Sequence, residues 1–132
     1  GACIVHEQFT PEEIRAFRED NPGIKIIAHP ECPPDVIAEA DFSGSTNGMI
    51  NWVRKHRPEK VVMVTECSMS DNVASELAEV EFVRPCTICP HMKRISLEGI
   101  LWALHSGTEE VLVEDALLDP ARRAVERMIA LG

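Results

Sequence analysis

The chain has 132 residues, which is room for one domain built on one hydrophobic core. Its 45% hydrophobic and 27% charged residues are typical of an ordinary globular protein. The formal net charge of −9 argues against nucleic acid and against an anionic membrane as partners, because both need a basic protein surface.

Cysteine usage indicates the compartment. The chain has five cysteines, so at least one cannot belong to an internal disulfide. No long apolar run could cross a membrane, and no apolar N-terminal segment resembles a signal peptide. These features favour a reducing cytoplasm, where a cysteine pair more often binds metal or does chemistry. Because the sequence starts at Gly1 with no initiator methionine, we expect it to be a piece of a longer polypeptide.

The first half of the chain is predicted to alternate strands with helices. A first strand is expected over residues 2–5. Thr10, Pro11 and Glu13 then predict a helix start, as N-cap, first helical residue and capping-box partner. The apolar pattern further predicts a strand over 24–28, a short helix over 34–40, a strand over 41–43 and a helix that ends near residue 56.

The second half continues this alternation. The predicted elements are a strand over 60–65, a helix over 71–78, a strand over 81–83, a helix over 96–105, a strand over 111–113 and a closing helix from Asp119-Pro120 to Leu131. Strand and helix units at this spacing predict right-handed βαβ crossovers. The expected fold class is therefore α/β, a three-layer α/β/α sandwich with a short parallel sheet.

The cysteine pair Cys86-Thr-Ile-Cys89 has a spacing used by zinc knuckles, thioredoxin-like motifs and iron–sulfur ligands. We expect it to lead straight into a helix, whose N-terminus would favour the ionised thiolates. A zinc ribbon would need a second close pair, and the other cysteines are scattered at positions 3, 32 and 67. Two incidental thiols remain the alternative.

Polar side chains follow the predicted strands, where parallel sheets place their sites. His6, His29 and Glu31 come after the first two strands, and an imidazole beside a carboxylate suits proton transfer. The alternative is a histidine bonded to its own turn and an exposed glutamate. Ser45 and Thr46 head a helix and could bind an anion, or could be an ordinary N-cap.

Cys3 and Cys89 occupy the same kind of place, the end of a predicted strand. If both bind one metal centre, that centre has few protein ligands and an open position for substrate. The alternative for each is a small buried hydrophobe.

Several strings taken together resemble the quinolinate synthase family, the quinolinate synthetase A proteins. They are Gly1-Ala-Cys3-Ile-Val-His6-Glu, His29-Pro-Glu31-Cys, Ala-Asp41-Phe-Ser-Gly44-Ser45-Thr46, Val-Thr65-Glu66 and Cys86-Thr-Ile-Cys89-Pro-His-Met92-Lys93. They occur in the family's order and at similar spacing across essentially the whole chain.

The resemblance implies a place in a larger enzyme of three similar α/β domains around a pseudo-threefold centre. By resemblance, residues 1–8 are the edge of the second domain, 9–95 are the third domain and 96–132 are a C-terminal helical segment. Each domain of the family supplies one cysteine to a [4Fe–4S] cluster. The resemblance thus makes Cys3 and Cys89 cluster ligands, with the third ligand outside this chain. Cys86 matches a neighbouring cysteine that is not a ligand and can be redox-active.

The resemblance also implies an activity. The family condenses iminoaspartate with dihydroxyacetone phosphate to quinolinate in de novo NAD biosynthesis, with the open iron as Lewis acid. Glu31 and His6 would transfer protons, and the substrate contacts would be His29, Glu31, Ser45 and Thr46. Implied partners are the missing N-terminal domains and the aspartate-oxidising enzyme that supplies iminoaspartate. The piece alone is expected to be inactive.

A second hypothesis is kept beside the first. The chain could be a stand-alone α/β metal-binding or thiol-redox module that uses the Cys86 and Cys89 pair.

Overall fold

The computed structural model describes residues 3–85, 87–108 and 110–131. The chain divides into two units, Gly1–Arg94 and Ile95–Gly132, and each is described by itself. Among the described residues, no helix combines the length and the apolar character needed to cross a bilayer.

The described residues of the first unit form a four-stranded sheet. Its strands are β1 (Lys25–Ala28), β2 (Phe42–Ser43), β3 (Lys60–Val64) and β4 (Glu81–Val83). They lie in the order β2-β1-β3-β4, and every neighbouring pair is parallel. The predicted parallel sheet and the α/β class are confirmed.

The described residues of the first unit also form four α-helices. They are α1 (Pro11–Asp20), α2 (Pro34–Ala38), α3 (Thr46–His56) and α4 (Cys67–Ala74). The predicted capping box of α1 is confirmed, since the Thr10 side chain accepts the Glu13 N–H at 3.3 Å and the Glu13 carboxylate accepts the Thr10 N–H at 2.9 Å. Local sequence alone therefore determines where this helix begins.

The core has two halves, one on each face of the sheet. On one face, Ile26 of β1 packs with Ile14 of α1 and Val36 of α2. On the other face, Ile27 of β1 packs with residues of α3 and α4, among them Val53. Neighbouring residues of a strand point to opposite faces, so a strand buried on both sides reads as a continuous apolar run. Helices therefore cover both faces, which makes three layers.

The predicted strand over residues 2–5 is wrong for the residues that can be described, and Ala2 lies outside them. Cys3 precedes a turn, and a 3-10 helix follows at His6–Gln8. The Glu7 N–H donates to the Cys3 carbonyl at 3.0 Å, which closes the turn. Val5 and Phe9 are both buried in the core, and this compact path brings both of them there.

Helix α4 begins four residues before the predicted start at Asp71. The Glu66 carboxylate accepts the Ser68 N–H at 2.8 Å and so caps the helix directly after β3. Serine, threonine, asparagine and aspartate are the usual capping residues, so the sequence pattern did not point to a glutamate.

The predicted direct passage from the cysteine pair into a helix is also wrong. A single 3-10 turn, Met92–Arg94, follows Cys89, and the next α-helix begins at Leu97. Ser96 caps that later helix, since its hydroxyl accepts the Gly99 N–H at 3.0 Å. The structure thus places no α-helix N-terminus directly after Cys89.

The second unit contains helices α5 (Leu97–Ser106) and α6 (Asp115–Ala130). The predicted strand over 111–113 is wrong, because these residues have no strand partner among the described residues of this unit. The predicted start of the last helix at Asp119-Pro120 is wrong as well, since α6 contains Pro120 in its interior. Asp115 lies in its first turn, where the helix dipole favours a carboxylate.

Candidate functional site

A cavity of about 510 Å³ lies where the β1 and β3 strands end. Most of the residues singled out from the sequence line it: Cys3, His6, His29, Glu31, Thr46 and Cys89. Their segments are far apart in the chain, so the fold brings them together.

The register of the sheet explains why some of these residues lie at the same cavity. Ala28 at the end of β1 pairs with Val64 at the end of β3, so the residues that follow both strands emerge at the same edge. The His29 N–H donates to the Val64 carbonyl at 3.2 Å and extends this pairing by one bond. His29 and Thr65 therefore enter the cavity side by side.

His6 is a buried polar residue at the cavity wall, with 7% of its surface exposed. Its Nδ1 lies 3.1 Å from Oε2 of Glu31, and its Nε2 lies 3.0 Å from the Thr65 hydroxyl oxygen. Burial lowers the pKa of His6 from its usual 6.5, and His29 lowers it further, while the hydrogen bond to Glu31 opposes the shift. The imidazole is therefore mostly neutral at pH 7.

His29 stacks on His6 with ring centroids 4.4 Å apart and an angle of 6° between the planes. Its Nδ1 accepts the backbone N–H of Glu31 at 3.3 Å. A neutral imidazole with an accepting Nδ1 carries its proton on Nε2. His29 thus has a donor N–H to offer inside the cavity.

Glu31 presents its carboxylate to the cavity with 58% of the side chain exposed. One oxygen is held by His6, and its distance to Nδ1 of His29 is 3.8 Å. A carboxylate that is accessible yet oriented by a neutral imidazole can accept a proton from a bound molecule.

Cys3 lies close to both His6 and Glu31. Its sulfur, a ring nitrogen of His6 and a carboxylate oxygen of Glu31 all lie within 4.8 Å of one another. Thiolate, imidazole and carboxylate are the ligands that transition metals take in proteins. The described residues therefore include one set that could hold a metal ion.

Cys89 lines the same cavity from the opposite end of the first unit's sequence, and both Cys3 and Cys89 are half-buried. Glu66 steadies the Cys89 loop, since its carboxylate accepts the Cys89 N–H at 3.5 Å as well as capping α4. A backbone bond from the Cys67 N–H to the Thr87 carbonyl at 3.0 Å adds to this attachment.

The two hydroxyls that head α3 are not equivalent. Ser45 is the N-cap, and its oxygen accepts the Gly48 N–H at 3.2 Å. Thr46 lines the cavity, and Ser45 is not among the residues that do. The ordinary N-cap alternative thus describes Ser45, while Thr46 is placed to meet a ligand.

Two further cysteines differ from this pair. Cys32 is buried in the core, and burial raises the pKa of its thiol to about 11, so it stays protonated and donates to the Val64 carbonyl. The predicted redox-active thiol, Cys86, lies outside the described residues. The hypothesis of a stand-alone module built on Cys86 and Cys89 gains no support from the residues that can be described.

Thr65 and Glu66 also line the cavity, and no chemical role could be assigned to either of them from the sequence. Their position directly after β3 was the available signal, because polar residues at the carboxyl end of a parallel strand face the site. Thr65 contacts His6 and Glu66 contacts the Cys89 N–H, and both partners are distant in sequence.

The fold and the cavity define a class of protein. It is an α/β domain that presents thiols, imidazoles and a carboxylate together at the carboxyl edge of a parallel sheet. Residues 1–130 match the family described as quinolinate synthetase A protein, and the chain belongs to this family.

Relatives carry the same name. The chain is 60% identical over 131 residues to the quinolinate synthase of Sinorhizobium fredii and 59% identical to that of Sinorhizobium medicae. It is 47% identical over 131 residues to the quinolinate synthase of Caulobacter vibrioides. Each match covers 99% of this chain and 36% of the relative. The resemblance drawn from the sequence is confirmed, and the chain spans little more than a third of the length of these relatives.

Proposed function

We propose that the full-length protein containing this chain is a quinolinate synthase, which condenses iminoaspartate with dihydroxyacetone phosphate in de novo NAD biosynthesis. Membership of the family and the names of the relatives support this proposal. In it, residues 1–8 are the edge of a second domain, 9–95 a third domain and 96–132 a C-terminal segment. This chain alone is inactive, because it supplies only some of the residues that form the active site.

One observation carries the proposal: Cys3 and Cys89 line one cavity together with His6, His29 and Glu31. Thiolates are the ligands of iron–sulfur clusters, so the donor set fits a [4Fe–4S] cluster whose third cysteine lies outside this chain. When bound, such a cluster with an open iron supplies Lewis-acid activation of a substrate oxygen.

Proton transfer falls to Glu31 and His6. The condensation loses two waters and phosphate, so protons must leave carbon and nitrogen and reach the oxygens that depart as water. The accessible Glu31 carboxylate takes a proton from the bound substrate, and the neutral His6 holds that carboxylate in position through Nδ1. A neutral imidazole beside it can also take up a proton as the reaction proceeds.

Substrate positioning falls to His29 and the start of α3. The Nε2–H of His29 donates to a substrate oxygen, since its Nδ1 is already an acceptor. The Thr46 hydroxyl and the free N–H groups of the first turn of α3 bind a carboxylate or phosphate of the substrates, and Ser45 orients that turn as its cap.

We also assign a role to Cys86, a cellular compartment and a source of iminoaspartate. In this proposal Cys86 is redox-active and is not a cluster ligand. The cytoplasm is the compartment, because free thiols and an iron–sulfur cluster need reducing conditions. An aspartate-oxidising enzyme supplies the iminoaspartate.

Anaerobic reconstitution of the full-length protein tests the ligand assignment. The wild type should contain the iron and sulfide of one cluster per chain, absorb as a brown protein and form quinolinate. Cys3→Ser and Cys89→Ser should each lose iron and activity. Cys32→Ala is the matched control and should keep both, because Cys32 is buried with a protonated thiol. A Cys89→Ser protein that kept its iron and its activity would overturn the assignment.

A further inference from the structure

Glu66 contacts both helix α4 and the loop that carries Cys89, which we call the Cys89 loop (residues 87–93). The side chain lines the cavity and is half-buried. Its two carboxylate oxygens have different partners. Oε2 accepts the Ser68 N–H at 2.8 Å, and Oε1 accepts the Cys89 N–H at 3.5 Å. One side chain therefore joins the first turn of α4 to a residue 23 positions away.

Two further bonds attach the Cys89 loop to the same turn of α4. The Cys67 N–H donates to the Thr87 carbonyl at 3.0 Å. The Lys93 ammonium group donates to the Ser68 hydroxyl oxygen. The loop is thus bonded to the start of α4 at three points along its length, and the bond from Glu66 lies at the cysteine itself.

The number of acceptor atoms explains why a glutamate is suited to this position. A carboxylate has two oxygens that both accept hydrogen bonds, so it can serve two N–H donors at once. Serine, a usual N-cap residue, has a single oxygen on a short side chain and would satisfy the helix alone. The second bond, to Cys89, is therefore a physical reason for glutamate as the N-cap of α4.

Cys89 depends on such contacts because regular secondary structure does not hold it. A single 3-10 turn, Met92–Arg94, follows it, and no strand or α-helix among the described residues contains it. Glu66, by contrast, directly follows Thr65 at the end of β3, which lies between β1 and β4 in the sheet. Groups that hold a metal ligand from behind orient it and tune its affinity for the metal.

We propose that Glu66 is a positioning residue, whose carboxylate fixes the backbone of Cys89 and so holds its thiolate in place for the iron–sulfur cluster. This inference rests on the proposed function for the identity of the bound group, whereas the fixed backbone can be observed without that group. Glu66 is not a ligand in this proposal and acts on the cluster only through Cys89.

Amide hydrogen exchange of Cys89 provides a readout that a role as helix cap alone would not move. It is measured by nuclear magnetic resonance on cluster-free, full-length protein with nitrogen-labelled cysteine, and Cys89→Ser assigns the signal. Glutamine keeps the length of Glu66 but has one accepting oxygen, so Glu66→Gln should keep the shorter bond to Ser68 and lose the bond to Cys89. The Cys89 amide, protected in the wild type, should then exchange about tenfold faster, the effect of one hydrogen bond.

Iron release from the reconstituted full-length protein tests the consequence for the cluster. In an excess of an iron chelator, Glu66→Gln should lose its iron about tenfold faster than the wild type, because its Cys89 ligand is less firmly held. Glu19→Gln is the control, since it makes the same chemical change at an exposed residue near the end of α1. It should match the wild type in both measurements.

Two results would overturn the inference. One is a wild-type protein whose Cys89 amide exchanges as fast as an unprotected amide, a measurement that needs no variant to fold. The other is a folded Glu66→Gln protein whose Cys89 exchange or iron release lies within about twofold of the wild-type rate. If the Cys89 amide behaves as expected but the wild type takes up no cluster and forms no quinolinate, the proposed function fails and the attachment of the Cys89 loop stands.

Discussion

Replacing Glu31 with glutamine separates the chemistry of this residue from its place in the structure. Glutamine keeps the size of the side chain and keeps an oxygen that can accept the Nδ1–H of His6. In the wild-type protein this nitrogen lies 3.1 Å from Oε2 of Glu31. It removes the basic carboxylate. The proton acceptor is therefore lost while the surrounding geometry is retained.

The expected magnitudes differ widely between stability and rate. The side chain is 58% exposed, so glutamine buries no new polar group and should change the free energy of unfolding by less than about 1 kcal/mol. A positioned general base typically contributes about 10²- to 10⁴-fold to a rate, or about 3 to 5 kcal/mol of activation free energy. The kcat of Glu31→Gln should fall by that factor.

The assay is quinolinate formation by the reconstituted full-length enzyme, with iron content and thermal unfolding measured on the same samples. Glu12→Gln is the control, because Glu12 is a surface glutamate of α1 with 76% of its side chain exposed. It should behave as wild type in all three measurements. A Glu31→Gln enzyme that kept its iron and retained more than a tenth of wild-type kcat would refute the assignment of Glu31 as the base.

Three predictions concern stability. Ile27→Ala should lower the free energy of unfolding by about 2 to 5 kcal/mol in a denaturant titration, because Ile27 of β1 is fully buried against the helices on its face of the sheet. A loss below about 1 kcal/mol would contradict this packing. Thr10→Ala should cost about 1 kcal/mol by the same titration through loss of the α1 cap, and no change would show that the capping box is dispensable. Burial opposes ionisation of Asp41, yet hydrogen bonds from the Ile26 N–H and Arg18 lower its pKa below the usual value. Asp41 therefore stabilises the fold above the unfolded-state pKa of about 4, and this stability should be lost as pH falls through the lower, folded-state pKa. Asp41→Asn should reduce this pH dependence of unfolding, and a wild-type profile in the variant would contradict the assignment.

Much of the fold could be predicted from patterns that act over short distances. The apolar runs at β1 and β3 indicated strands, and Thr10 with Glu13 indicated the start of α1. Each of these signals depends on residues within a few positions of one another. The start of α4 was misplaced because its N-cap is Glu66, and glutamate is not a usual capping residue. The strand over 111–113 was wrong because this apolar segment has no partner strand among the described residues.

The candidate site was predicted as a set of residues and not as a set of contacts. The strings around Cys3, His29 and Cys89 were sufficient to suggest the family, which the comparisons confirm. They left open whether Ser45 binds an anion or caps α3, and they did not reveal that Thr65 bonds His6.

The amino-acid sequence by itself determined the α/β class, the boundaries set by local caps and the family. Only the tertiary structure decided that His6 lies between Glu31 and Thr65, which are 25 and 59 positions away. The physical reason is that periodicity and capping are local, whereas the meeting of side chains depends on strand order and register. The pairing of Ala28 with Val64 places two strand ends at one edge, and the turn before His6 brings its ring to the residues that follow them.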